Sequence, residues 1–157
     1  MGITYQVEPF SKMIHEAMPL LKKHHKEIAL YQDKVPFSPD WDIYFARERS
    51  NGLIIVTARS NGVLVGYMGQ IVGPGLHFNK TLWSFNDLIW LDPNYREGWI
   101  GIKLITEMEK VLRKLGVQVF EVNPKVHFEK DRGGMQKILD RLGFDFVSTI
   151  HQKWLGE

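Results

Sequence analysis

The residues best placed to do chemistry lie in LDPNYREGWIGIKLI, Leu91 to Ile105. Arg96-Glu97-Gly98-Trp99-Ile100-Gly101 combines a cation, two glycines and the start of an apolar-periodic segment. Such a turn can hold an anion. The first N–H groups of a helix lack internal partners, the helix dipole favours negative charge there, and glycine lets a phosphate approach the backbone. Arg96 adds a positive charge, and Glu97 opposes it unless its carboxylate points to solvent. The alternative is a simple strand-to-helix turn in which glycine serves sterics alone. No Gly-Lys-Ser/Thr follows, so this is not a Walker loop, and the spacing of a dinucleotide fingerprint is missing.

The elements around this turn read as follows. Thr4 to Val7 suits a short strand. Ser11 is a candidate N-cap for a helix carrying Ile14, Ala17, Met18 and Leu21 at helical spacing, and LKKHHKEIAL continues it. Pro19 predicts a kink or break. Residues Pro39 to Arg49 read as a second short helix, with Asp40 near its positive end. GLIIVTA, VLVGYMGQIV and TLWSFNDLIWL read as three strands of an antiparallel meander, turned by Ser60-Asn61-Gly62 and broken by Gly73-Pro74-Gly75. Ile100, Leu104, Ile105, Met108, Val111, Leu112 and Leu115 form the apolar stripe of a long helix ended by Gly116. On its polar side, Lys103 with Glu107 and Glu109 with Arg113 are spaced i,i+4. VQVFEV is a strand, Met135 to Leu142 a helix, and FDFVSTIHQKWL one or two closing strands. This order predicts a single α/β domain over 1–157 with a mixed central sheet, and a parallel, right-handed unit from Leu82 to Val122.

Composition narrows the class. A chain of 157 residues with 44% hydrophobic and 24% charged residues suits one soluble globular domain. A formal charge of +2 makes a nucleic-acid partner unlikely. The lack of cysteine excludes disulfides, thiolate metal sites and a cysteine nucleophile, and fits a cytoplasmic location. The N-terminus lacks a signal-peptide pattern, position 6 is Gln where a myristoylation pattern needs Ser or Thr, and no apolar run is long enough for a membrane span.

The string DLIWLDPNYREGWIGIKLITEMEKVLRKLGV resembles the central motif of the GNAT N-acetyltransferase superfamily. There a strand ends in a proline-tyrosine-arginine turn, and a Gln/Arg-x-x-Gly-x-Gly/Ala loop opens a long amphipathic helix. DRLGFDFVSTIHQKWL resembles the family's closing segment. HHKEI, GLHF, NDLIWLDPNYREG and Lys125-Val126-His127 are similar to a branch of small GNAT proteins encoded by bacteriophages. One departure stands out: Trp99 falls where the middle glycine usually sits, and Gly98 is one position early. The resemblance implies a pyrophosphate loop of non-standard form, with the indole covering the cofactor or packing under the loop.

It also implies the GNAT acyl-CoA N-acyltransferase fold, a mixed central sheet with splayed parallel strands flanked by helices. Acetyl-CoA would be the cosubstrate, and an amine would attack the thioester directly in a ternary complex. The backbone of Ile89, Trp90 and Leu91 would meet the pantetheine amides. The N–H groups from Glu97 to Gly101, with Arg96 beside them, would hold the pyrophosphate, and Asn123 would reach the pantetheine arm. Asp87, on the strand leading to the cofactor, is the first candidate for base or amine-binding anion. His77 and His127, with Glu129, are further candidates, since histidine titrates in the right range. His24, His25 and Glu27 fall where the acceptor-side helix sits. The adjacent histidines point to different faces and make a poor metal pair, so no metal is expected. Trp41, Tyr44 and Phe45 would border the acceptor pocket. The tyrosine acid that many members carry in the last helix is replaced by Leu139, leaving Tyr95, Tyr31 or water. The acceptor would be a small-molecule or protein amine, and the protein a possible homodimer in the cytoplasm, or in a host's if phage-encoded. The alternative is a catalytically weak GNAT-fold protein that binds a host or partner macromolecule.

Overall fold

A computed structural model describes residues 2–125 and 133–156. The strands are β1 (Ile3–Val7), β2 (Leu53–Ser60), β3 (Val63–Gly75), β4 (Phe78–Leu91) and β5 (Val119–Glu121), and they form one sheet in that order. The first four pair antiparallel, while β4 and β5 are parallel, Trp83 to Phe85 against Val119 to Glu121. The helices are α1 (Phe10–Ile28), α2 (Trp41–Arg49), α3 (Ile100–Lys114) and α4 (Gly134–Arg141), with a 3-10 turn at Pro93–Tyr95.

The sheet is buried on both faces, and its residues alternate between two clusters as the strand period requires. Leu53, Ile55, Tyr67 and Trp90 pack with Phe10, Met13, Ala17 and Leu21 of α1. Val56, Ala58, Met68 and Leu91 pack with Leu104, Ile105, Met108 and Leu112 of α3. Among the described residues no helix is long and apolar enough to cross a membrane.

Several expectations shift. α1 is one continuous helix through Pro19, with buried residues on both sides of it, so packing on the sheet outweighs the lost backbone bond. Its N-cap is Pro9; Ser11 instead bonds Glu48 through its N–H at 2.9 Å and its hydroxyl at 2.6 Å. Asp40 caps α2, accepting from the Ile43 N–H at 3.2 Å. Gly73-Pro74-Gly75 does not break β3 but forms its last three residues, because Trp83 and Leu82 pair with Gly73 and Pro74 and carry the ladder on. On α3, Glu107 pairs with Lys110 at 2.7 Å, and Glu109 with Arg113 at 2.6 Å as the spacing predicts.

The closing strands are absent: the described residues 144–156 join no strand. An alternating pattern becomes a strand only against a partner edge, and three-residue β5 offers little edge. Aromatic contacts hold the tail instead, with Trp154 6.1 Å from the Tyr31 ring and Lys34 Nζ 5.8 Å from the indole.

Candidate active site

Two features of β4 create a cleft. The first is a bulge. Leu88 pairs with Gly69 and Asn86 with Gln70, so Asp87 is an extra residue with no partner on β3. The second is separation. β5 stops pairing at Glu121 opposite Phe85, while β4 continues to Leu91, so the parallel strands part. The Asn86 carboxamide sits at the point of parting. It accepts from the Asn123 N–H at 2.5 Å and donates to the Asn123 carbonyl at 3.0 Å, standing in for a strand's peptide group.

Beyond this point the β4 backbone alternates. The Asp92 N–H donates to the Val65 carbonyl at 2.8 Å, which places residues 92, 90 and 88 in the hydrogen-bonded pairs with β3. The backbone groups of Ile89 and Leu91 therefore face the open side. Trp90 departs from expectation: its backbone pairs with Tyr67, and its buried indole donates to Glu27 at 2.9 Å.

The turn follows. Gly98 has φ +77°, and a Cβ there would meet nothing within 4 Å. A Cβ at Gly101 would meet only Leu91 Cδ2, at 3.8 Å. Trp99 is the N-cap of α3 without a side-chain cap bond, the first turn carries no acidic residue, and the first ladder bond runs from the Lys103 N–H to the Trp99 carbonyl at 2.8 Å. The N–H groups of Ile100, Gly101 and Ile102 precede that bond and are uncapped donors. Trp99 is 74% exposed, so it does not pack under the loop. Glu97 is exposed.

Arg96 is not a free cation beside the turn. Its Nε donates to the Leu91 carbonyl at 2.8 Å, and its terminal nitrogens donate to the two Glu27 oxygens at 2.5 and 2.6 Å. The hydrogen bonds from Arg96 hold the Glu27 carboxyl below its usual range, against the opposing effect of burial.

Asp87 is exposed and accepts a hydrogen bond from Tyr44 of α2. Burial, then the Asp87 contact, push the Tyr44 hydroxyl pKa up. Phe10 stacks on Tyr44 at 4.9 Å and Trp41 lies 5.6 Å from it, so an aromatic wall flanks the carboxylate. His24 is 5% exposed, with Nδ1 3.2 Å from the Tyr67 hydroxyl. Burial pushes its pKa down to about 4, so it is neutral near pH 7.

His77 lies in the β3–β4 turn at the far end of the strand, exposed and edge-on to Phe78. Nine positions along β4 separate Phe78 from Asp87, up to about 30 Å along an extended strand, so the fold does not bring His77 to the cleft. His127 and Glu129 lie outside the described residues. Leu139 is 4% exposed in the α3-side core. A cavity of about 1260 Å³ lies between β5, α4 and the tail; of the expected cofactor residues only Asn123 lines it. The Tyr44–Asp87 and Glu27–Arg96 pairs were not foreseen, because each joins residues more than 40 positions apart.

A mixed sheet that parts beside an uncapped helix N-terminus is an α/β fold with an opening suited to an anionic ligand. The acetyltransferase (GNAT) family model matches residues 16–144, and the chain belongs to that family. No curated protein is detectably similar in sequence. Among solved structures, a ribosomal-protein-alanine N-acetyltransferase from Brucella melitensis biovar Abortus is 16% identical, with TM-score 0.69 over 99% of this chain and 100% of that one. An aminoglycoside acetyltransferase from an uncultured soil metagenomic sample is 14% identical, with TM-score 0.73 over 99% and 100%. A predicted acetyltransferase from Clostridium acetobutylicum, with acetyl-CoA, is 9% identical, with TM-score 0.71 over 98% and 97%. These likenesses are of fold.

Proposed function

We propose that the protein transfers an acetyl group from acetyl-CoA to a primary amine by direct attack in a ternary complex. The observation that carries this reading is the alignment of three features along one edge: the Asp87 bulge, the outward backbone of Ile89 with the Leu91 N–H, and the uncapped N–H groups at Ile100 and Gly101. The donor set suits the cosubstrate. Amide groups of a pantetheine arm match an open strand edge, and a pyrophosphate matches helix N–H groups that glycines leave accessible. Gly98 and Trp99 belong to that loop, with Glu97 turned to solvent. Asn123, its backbone held by Asn86, would reach the pantetheine arm with its side chain.

Asp87 is the group that binds the ammonium and takes its proton. The amine nitrogen then bonds to the acetyl carbon, the carbon–sulfur bond breaks, and the thiolate gains a proton from water. The acceptor is a small-molecule or protein amine, and the aromatic wall of Tyr44 and Trp41 faces it. The bacteriophage-encoded branch, and with it a host's cytoplasm, rests on sequence resemblance. A homodimer is supported by the exposed apolar tail residues Phe146, Val147 and Ile150, and sedimentation tests it.

The test is release of CoA from acetyl-CoA across a panel of amines. The chain has no cysteine, so a thiol reagent reads free CoA with no protein background. Amine-dependent release is expected. Binding of CoA without release for any amine favours the second reading, a GNAT-fold binding protein, which the exposed Trp99 and the core residue Leu139 keep in play.

A further inference from the structure

Glu27 lies in the last turn of α1, yet its carboxylate grips Arg96 at the start of the turn into α3. We propose that Glu27 is a positioning residue: by holding Arg96 it fixes the path of the loop into α3, and so the aim of the uncapped N–H groups. The inference rests on the acetyl-CoA reading above.

The loop is anchored at both ends. Asp92 is held to Val65 by its N–H at 2.8 Å, and its side chain accepts from the Asn94 N–H at 3.0 Å. At the other end the Trp99 carbonyl starts the α3 ladder. Between them Glu97, Gly98 and Trp99 are exposed, and Gly98 sits in open space at positive φ. The lateral tether is Arg96. Each of its three nitrogens is engaged, one by Leu91 and two by Glu27, and its guanidinium lies 5.9 Å from the centre of the Trp90 ring. Glu27 also accepts from Trp90, so one carboxylate joins α1, the end of β4 and the loop.

The pair is 41% and 37% exposed. At that exposure an ion pair contributes little to global stability. A planar fork on a carboxylate, backed by an indole, does fix geometry. Its effect therefore falls on the loop that follows.

Calorimetric titration with CoA of the wild type, Glu27→Gln, Arg96→Lys and the double variant tests this. Each single change should weaken CoA binding about tenfold, the size expected for a lost charge-assisted bond. The double variant should be no weaker than the worse single, because both remove one tether. The KM for acetyl-CoA should follow the binding constant while kcat stays within about twofold. If Glu27→Gln fails to fold, Arg96→Lys carries the test. Unchanged CoA binding in the single variants, or fully additive losses, overturns the inference while leaving the acetyl-CoA reading intact. A wild type that does not bind CoA overturns both.

Discussion

Asp87 owes its place to one extra residue in β4. The bulge turns its side chain toward α2, where Tyr44 donates to it. If Asp87 takes the amine proton, Asp87→Asn should lower kcat by about 10²–10⁴-fold with CoA binding retained. Tyr44→Phe should cost about tenfold in kcat/KM, because one hydrogen bond to a charged group is lost. Steady-state kinetics check both, and full activity in Asp87→Asn would move the base elsewhere. His24 makes a different prediction. Its folded pKa of about 4 lies below the ordinary 6.5, so the unfolded chain binds more protons between these values. Stability is full above pH 6.5 and falls as pH drops toward 4. About 2 kcal/mol should be lost between pH 7 and pH 5, and His24→Gln should flatten that slope in urea titrations. Glu8, held down to about 2 chiefly by its hydrogen bonds with Arg59, loses its contribution only below about pH 4.5, so the two windows separate.

At the scale of the element, the start of α3 tells a cofactor loop from a plain turn. Gly101 has room for a methyl group, with only Leu91 Cδ2 nearby at 3.8 Å. Gly101→Ala should therefore raise the stability of the ligand-free protein by about 0.5–1 kcal/mol, since alanine gives up less backbone freedom. The same methyl group would stand where a pyrophosphate approaches, so the stabilisation by acetyl-CoA should shrink. Gly98 should behave oppositely: at φ +77° an alanine is strained by about 1 kcal/mol even in open space. Thermal unfolding with and without acetyl-CoA reads both variants. If Gly101→Ala leaves the acetyl-CoA shift unchanged, glycine serves only the turn. α1 teaches a related lesson. Pro19 reads locally as a break, yet Ala17 and Leu21 on either side of it are buried against the sheet, and that packing carries the helix through.

For the whole molecule, one sheet with a core on each face ties the cleft to global stability. Acetyl-CoA at 100 times its dissociation constant should add about 2.7 kcal/mol. That corresponds to about 5–10 °C in Tm for a domain of this size, with ATP as the control that should give little shift. Much of the architecture was legible in the chain. The apolar stripe of α3, the Ser60-Asn61-Gly62 hairpin and the β-branched runs act through neighbours a few residues apart, and period alone fixes them. The strand-to-helix turn at Arg96 to Gly101 was legible for the same reason, since its glycines lie directly before the apolar stripe of α3. Three features were decided only in three dimensions. The tail forms no strand, because β5 offers too short an edge. Arg96 faces Glu27, because α1 packs its last turn against the end of β4. Asp87 meets Tyr44 through a bulge set by the register between β3 and β4. Local periodicity specifies elements, whereas pairings between residues far apart in sequence depend on how those elements pack, and no single segment encodes that.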